Sequence, residues 1–395
     1  MNSPLSNHSN SLTAQLVACA LAVVSLLYLP LPILPLLAQT YRLNPGESGF
    51  TLAAFGVAYA CGFLVFGPLS DRVGRQPVMA GGLLALALVT VVLTMVSTPG
   101  TFLMGRALQG FAAASFPPVA LAYLAERGTP RQRAWGVAWM STAFLSAGLL
   151  GQIYGGSVAN RWGFGVALLP LSCIYVLTAI RIGIVKDTAH RAKSPVTSLW
   201  SNYRPLGGLL ANAALRRVYV PAFLLLLCFV AFYVELDAHL GAAMAQQHIS
   251  PLLARALALP AFFAPLAVAS YIPRWGAHRI ATAGLVVAAA GLVLSALAGA
   301  DHLYALLGAS VVFVAGIGIG VPALIARIAG IAAAPVRGLA VSFYTFVLFI
   351  GASIGPWVAL RSSGLSEEAF LLVLAALMAA AAGYSAGTAT GLRTS

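Results

Sequence analysis

Apolar residues run along this chain in long unbroken blocks, without the alternation of a half-buried strand or the single stripe of an amphipathic helix. A helix needs about 20 such residues to cross the hydrocarbon core of a bilayer. The pattern predicts twelve spans, at 12–37, 48–69, 78–97, 101–124, 135–158, 163–185, 217–240, 251–272, 279–299, 302–326, 339–360 and 367–390. We number them 1 to 12. The one long polar connector, 186–216, carries Lys186, Asp187, Arg191, Lys193, Arg204 and Arg216. It divides the chain into an N-terminal six-helix bundle (1–185), a linker (186–216) and a C-terminal six-helix bundle (217–395). The expected fold is an all-α integral membrane protein, with twelve transmembrane helices in two pseudo-symmetric six-helix bundles.

The halves repeat at an offset of about 202 to 204 residues. Arg72-Val73-Gly74 matches Arg274-Trp275-Gly276, Pro118 matches Pro322, and Gly151-Gln152 matches Gly355-Pro356. Parallel repeats of this kind are a transporter plan, with substrate held near mid-membrane. The second copy lacks the first one's acid, since Pro273 stands opposite Asp71.

Composition leaves little else open. Hydrophobic residues make up 60 % of the 395 and charged residues 8 %, too few for a water-soluble surface. The net charge of +13 does not point to nucleic acid, because the basic residues sit in short loops between spans. Seventeen of the 22 Lys and Arg fall on one set of span ends, which predicts both termini in the cytoplasm. Cys19, Cys61, Cys173 and Cys228 fall inside spans with no paired spacing and read as small core residues, with no metal or disulfide expected. Leu16-Val17-Ala18-Cys19 matches a lipoprotein cleavage box only by letters, since the apolar run follows it.

The tightest polar turn is Gly67-Pro68-Leu69-Ser70-Asp71-Arg72-Val73-Gly74-Arg75-Gln76-Pro77, between spans 2 and 3. A turn this short needs a residue without Cβ, which Gly74 supplies. The stretch resembles the span-2/3 loop of the major facilitator superfamily, G-x-L-x-D-R-x-G-R-[KR]-x, with Gln76 where Lys or Arg is commoner. The resemblance implies that Asp71 faces the start of span 11, near Arg337–Ala340, where a helix N-terminus favours an anion. It implies too that Arg75 can pair with Glu126. Gly67, Asp71, Arg72, Gly74, Arg75, Glu126 and Arg337 would then form a cytoplasmic latch that favours the outward-open state. The alternative is a solvated loop that only sets topology.

Arg106-Ala107-Leu108-Gln109-Gly110 in span 4 resembles the superfamily's R-x-x-Q-G signature, linked in proton-coupled members to coupling. An arginine in hydrocarbon costs about 2.5–3.5 kcal/mol on insertion scales, so it should face the bundle interior or a wet cavity. Snorkelling at the outer end of the helix is the alternative. Glu235 and Asp237 lie towards the outer end of span 7. Burial favours the neutral form of a carboxyl, the property that proton coupling needs. Two helix positions apart, at most one faces a cavity, and Glu235 is the deeper; the alternative is that both are ordinary loop acids at the outer interface. His239 reads as interfacial.

The superfamily's drug:proton antiporters often carry an acid in span 1. Here Tyr28-Leu29-Pro30-Leu31-Pro32 stands there with none, and more weight falls on Arg106 and Glu235. Their span-5 signature, G-x-x-x-G-P-x-x-G-G, is met by Ala147 to Gly156 with Ala for the first Gly and Gln152 for Pro. Small residues still let helices pack closely, so Gly110, Gly151, Gly155, Gly351, Gly355 and Pro356 are assigned to packing. Tyr28, Gln109, Gln152, Tyr233, Phe343 and Tyr344 are candidates for a substrate cavity.

The resemblance implies a secondary carrier of the bacterial inner membrane, monomeric and without cofactor, like the twelve-span drug:proton antiporters and sugar-efflux-type permeases. Its partners would be a small apolar or cationic substrate, protons and the lipid bilayer. An importer or uniporter on the same scaffold is the alternative. The sequence has no Walker A loop for ATP, and no H-E-x-x-H or G-x-S-x-G for an intramembrane enzyme.

Overall fold

A computed structural model describes residues 4–43, 50–185, 204–247, 249, 251–299, 302–333, 336–362 and 364–387. The linker stretch 186–203 lies outside the described residues. Among those described, all regular structure is helical. Eleven helical stretches are long and apolar enough to cross a membrane, from Ser11–Tyr41 to Glu367–Ala386. The twelfth expected span, span 8, is present in pieces. Pro251–Ala256 is followed by a tight 3-10 stretch Leu259–Phe263, then Ala264–Ala269 and Ile272–Trp275. The cause is Pro260, Pro265 and Pro273, each of which lacks the N–H that a continuing helix requires.

Prolines interrupt two other spans. Span 1 is Pro4–Tyr28, then a 3-10 turn at Leu31–Ile33, then Leu34–Tyr41. Span 4 breaks between Pro99–Ala113 and Pro117–Glu126, at the Pro117-Pro118 pair. Span 10, Leu303–Ile331, carries Pro322 without interruption. Span 5 changes pitch without a proline. Pro130–Tyr154 passes into a wider π-helical turn, Gly155–Ala159. Spans 3, 6 and 9 each begin directly after a glycine at positive φ: Gly74 (106°), Gly163 (85°) and Gly276 (84°).

The described residues form two compact units. One lies within Met1–Glu126, Ala143–Tyr203 and Pro335–Phe343; the other within Arg127–Thr142, Arg204–Ala334 and Tyr344–Ser395. The start of span 11 thus packs with the N-terminal unit, and the loop and start of span 5 with the C-terminal one.

Packing within each unit uses the expected glycines. A Cβ on Gly151 would press on the Ser25 backbone and one on Gly155 on the Leu29 carbonyl, both in span 1. In the other unit Gly351 abuts the Phe223 carbonyl and Gly355 that of Leu227, both in span 7. The side chain of Pro356 lies outside the described residues. Two of the four cysteines depart from the core assignment, for Cys61 and Cys173 are exposed on outer faces, while Cys19 and Cys228 are buried.

The closest helix pair in the C-terminal unit joins span 9, Ala277–Ala298, to span 10. A Cβ on Gly316 would meet the Ala288 backbone and the Gly284 carbonyl, neither of which can swing aside. Overpacking of this kind costs about 1–3 kcal/mol. Gly316→Ala is expected to lower the melting temperature of the detergent-solubilised protein, whereas Gly308→Ala, with open space around it, is expected to leave it unchanged.

Candidate functional site

Arg106 is the largest fully buried side chain among the described residues. Span 4 enters at Pro99, capped by the Thr98 hydroxyl, and carries the arginine about two turns inward. There the guanidinium is met on several sides within the N-terminal unit. Nε donates to the Thr51 carbonyl at 3.3 Å, Nη1 to Gln109 Oε1 at 2.5 Å and Nη2 to the Leu26 carbonyl at 3.0 Å. The cation also lies over the Phe55 ring, 4.6 Å from its centre. Spans 1, 2 and 4 therefore converge on one planar fork, which a lysine's point charge cannot reproduce. Gln109 is itself fully buried and passes the network on, donating from Nε2 to Thr90 Oγ1 in span 3 at 2.9 Å. Its amide is thus committed to Arg106 and Thr90 and does not face a cavity. The arginine points into the bundle and does not snorkel outward.

Gly110, next in the motif, lies against the Phe55 carbonyl and Cα, so that a side chain there would push span 2 off span 4 and away from the arginine. Tyr41 and Tyr175 are near enough to Arg106 to act on it electrostatically. The Tyr175 hydroxyl donates to the Ala22 carbonyl at 3.1 Å, fixing span 6 to span 1 beside the site.

In the C-terminal unit Glu235 is 3 % exposed, in the helix Ala213–Gln246. Arg106 and Glu235 are the two charged residues buried among those described, one in each unit. The Asp237 and His239 side chains lie outside the described residues. Tyr233 is buried, edge-on to Phe229 and Phe232 at 5.2 Å each. Tyr344 is buried too, and its hydroxyl has no hydrogen-bond partner among the described residues. In the N-terminal unit Tyr28 and Gln152 are half-buried and meet at Gly148. The Gln152 amide donates to its carbonyl at 2.7 Å, and a Cβ there would touch the Tyr28 ring. Phe343 is half-buried.

At the span-2/3 turn, Asp71 accepts the Leu339 N–H at 3.0 Å, at the start of the helix Arg337–Arg361. Its other oxygen pairs with Arg75 Nη1 at 2.6 Å. Arg75 also donates to Ser70 Oγ at 2.6 Å and to Glu126 at 3.0 Å, so one guanidinium links the ends of spans 2 and 4. Gly338 makes this possible: a Cβ would collide with both the Asp71 carboxylate and Arg75. Gly67 is as tight against Ser342. Arg72 and Arg337 are half-buried nearby in sequence. Sequence reasoning passed over Thr90, Ser70 and Gly338. Thr90 alone left a trace, as a hydroxyl within the apolar run Leu83–Leu93.

Buried charges in helical bundles, with polar turns at the span ends, define a multi-pass membrane protein of the transporter class. A sequence model of the Major Facilitator Superfamily matches residues 16–356, and the chain belongs to that family. It is 31 % identical over 179 residues to the inner membrane transport protein YnfM of Escherichia coli, covering 45 % of this chain and 43 % of that protein. It is 26 % identical over 292 residues to a chloramphenicol resistance protein of Pseudomonas aeruginosa, covering 70 % and 66 %. A bicyclomycin resistance protein homologue of Haemophilus influenzae matches at 25 % over 40 % of each chain. The chain thus spans less than half the length of YnfM. Among solved structures, the human organic anion transporter MFSD10 superposes with a TM-score of 0.77 at 19 % identity, covering 97 % of this chain and all of that one. The proton:xylose symporter XylE does so at 0.75 and 14 %, covering 96 % and 95 %. At these identities the likeness is one of fold.

Proposed function

We propose that the protein is a secondary carrier that expels a small, apolar or cationic molecule across the bacterial cytoplasmic membrane in exchange for protons. The observation that carries the reading is the pair of buried charges, Arg106 and Glu235, the two found buried among the described residues. A carboxyl 3 % exposed can cross a membrane cycle only if it gains and loses a proton or a cationic partner. The likeness to the chloramphenicol and bicyclomycin resistance proteins supports the outward direction. Arg106 and Glu235, with Asp237 beside it, are the proposed coupling residues. Tyr28, Gln152, Tyr233, Phe343 and Tyr344 are the proposed contacts for an apolar substrate. The turn around Asp71 is the proposed latch, with both termini cytoplasmic and the monomer as the working unit. One feature favours uniport or import instead, namely the missing acid in span 1.

Reconstitution in liposomes tests the reading. With an acid interior reported by a quenched dye, adding a substrate outside is expected to collapse the gradient, and Glu235→Gln to remove that response. Equilibration of labelled solute with no effect on the gradient would mean uniport and withdraw the coupling roles.

A further inference from the structure

One end of the C-terminal unit is basic, with no acid to balance it among the described residues. Arg217 lies in the first turns of the span-7 helix, His278 and Arg279 start span 9, Arg327 lies near the end of span 10, and Gly387 follows the last helix. Among the described residues of this unit, Glu235 lies several turns further along the span-7 helix and Glu367 and Glu368 open the last helix at its other end, and Arg127–Thr142 contains no acid. In the N-terminal unit the matching turn carries Asp71 and Glu126 around Arg75. Here Pro273 stands in place of the acid.

The basic side chains converge. Arg217 Nη1 donates to the Gly387 carbonyl at 2.8 Å. Arg327 Nη1 donates to the Ser385 carbonyl at 3.1 Å and its hydroxyl at 2.9 Å. These bonds cap the end of the span-12 helix, where exposed carbonyls attract cations. They use one nitrogen of each guanidinium, and each guanidinium has five N–H donors. Arg327 and Arg217 also interact electrostatically with each other, and both, with Arg279, act on His278. His278 reaches the Ala386 backbone, and its Nδ1 is buried with no hydrogen-bond partner by strict geometry among the described residues. Like charges gathered this closely call for an anion. Just before His278, the Tyr271 and Trp275 rings lie 5.1 Å apart, tilted at 45°, with 42 % and 60 % of their surfaces exposed. An exposed aromatic pair at a span end is the arrangement that settles among lipid headgroups.

We infer that Arg217, Arg279, Arg327 and His278 form a binding site for the phosphate of an anionic phospholipid headgroup, with Tyr271 and Trp275 set at the level of its glycerol. Basic pockets between helix ends suit such headgroups, and each arginine near the membrane surface contributes about fivefold in affinity.

The test is native mass spectrometry of the full chain released from detergent, titrated with phosphatidylglycerol or phosphatidylcholine. Wild type is expected to hold phosphatidylglycerol roughly tenfold more tightly. Arg217→Gln with Arg327→Gln is expected to weaken that binding roughly 25-fold, and Arg279→Gln about fivefold. The Arg279 variant keeps the test open if loss of the helix caps prevents folding, because Arg279 is exposed and makes no such cap. Equal binding of the two lipids, or unchanged phosphatidylglycerol binding in the Arg279 variant, would overturn the site. Displacement of the lipid by an equal concentration of inorganic phosphate would overturn its lipid character and leave a free-phosphate site.

Discussion

Arg106→Leu is expected to abolish transport, by about a hundredfold or more at equal membrane abundance, which corresponds to about 2.7 kcal/mol on the rate-limiting step. The side chain is too committed for a smaller loss. It holds the Leu26 and Thr51 carbonyls and Gln109 on three spans, over the Phe55 ring, with no exposure. A buried cation in hydrocarbon is retained only where a positive charge, or the fork that carries it, is used. Arg106→Lys should also fail, by roughly tenfold or more, because an ammonium cannot span three divergent acceptors. A purely structural arginine would give a different pattern. Arg106→Leu strands the Gln109 oxygen, and an unsatisfied buried acceptor costs about 1–3 kcal/mol. The double variant Arg106→Leu, Gln109→Leu removes both partners and should regain abundance. Initial rates of substrate flux, normalised to protein in the proteoliposomes, decide between the roles. Transport that returns with abundance in the double variant would make the arginine structural.

The spans themselves were legible because burial in lipid allows only one pattern, a long apolar block. What the sequence hides is where such a block stops being a smooth helix. Span 8 reads as continuous hydrophobicity, and only Pro260, Pro265 and Pro273 betray its pieces. Span 5 reads as one helix, yet it widens into a π-turn at Gly155–Ala159 that no residue letter announces. The repeat was legible in Arg72-Val73-Gly74 and Arg274-Trp275-Gly276, which both end on a glycine at positive φ directly ahead of a helix. Asp71, Arg75 and Glu126 could be picked out by charge. Thr90 and Gly338 could not, since a hydroxyl and a glycine are ordinary in membrane helices until a neighbour is seen to need them.

Gly338 makes the second test sharp. Asp71→Asn should lower transport about tenfold, near 1.4 kcal/mol, without loss of membrane abundance. Asparagine can still accept the Leu339 N–H, but it gives up the ion pair with Arg75 at 2.6 Å and the charge that the start of span 11 favours. Arg75 keeps Ser70 and Glu126, so the turn should hold its shape. Gly338→Ala leaves every charge in place and drives a methyl between Asp71 and Arg75. If the contact itself governs the transport cycle, the two variants damage one thing, and Asp71→Asn, Gly338→Ala should be no slower than the worse single variant. Groups sharing one network are non-additive in this way. Rates that multiply to about a hundredfold loss would instead place Gly338 and Asp71 in separate roles, and the turn would then be no latch but two independent supports of span 11.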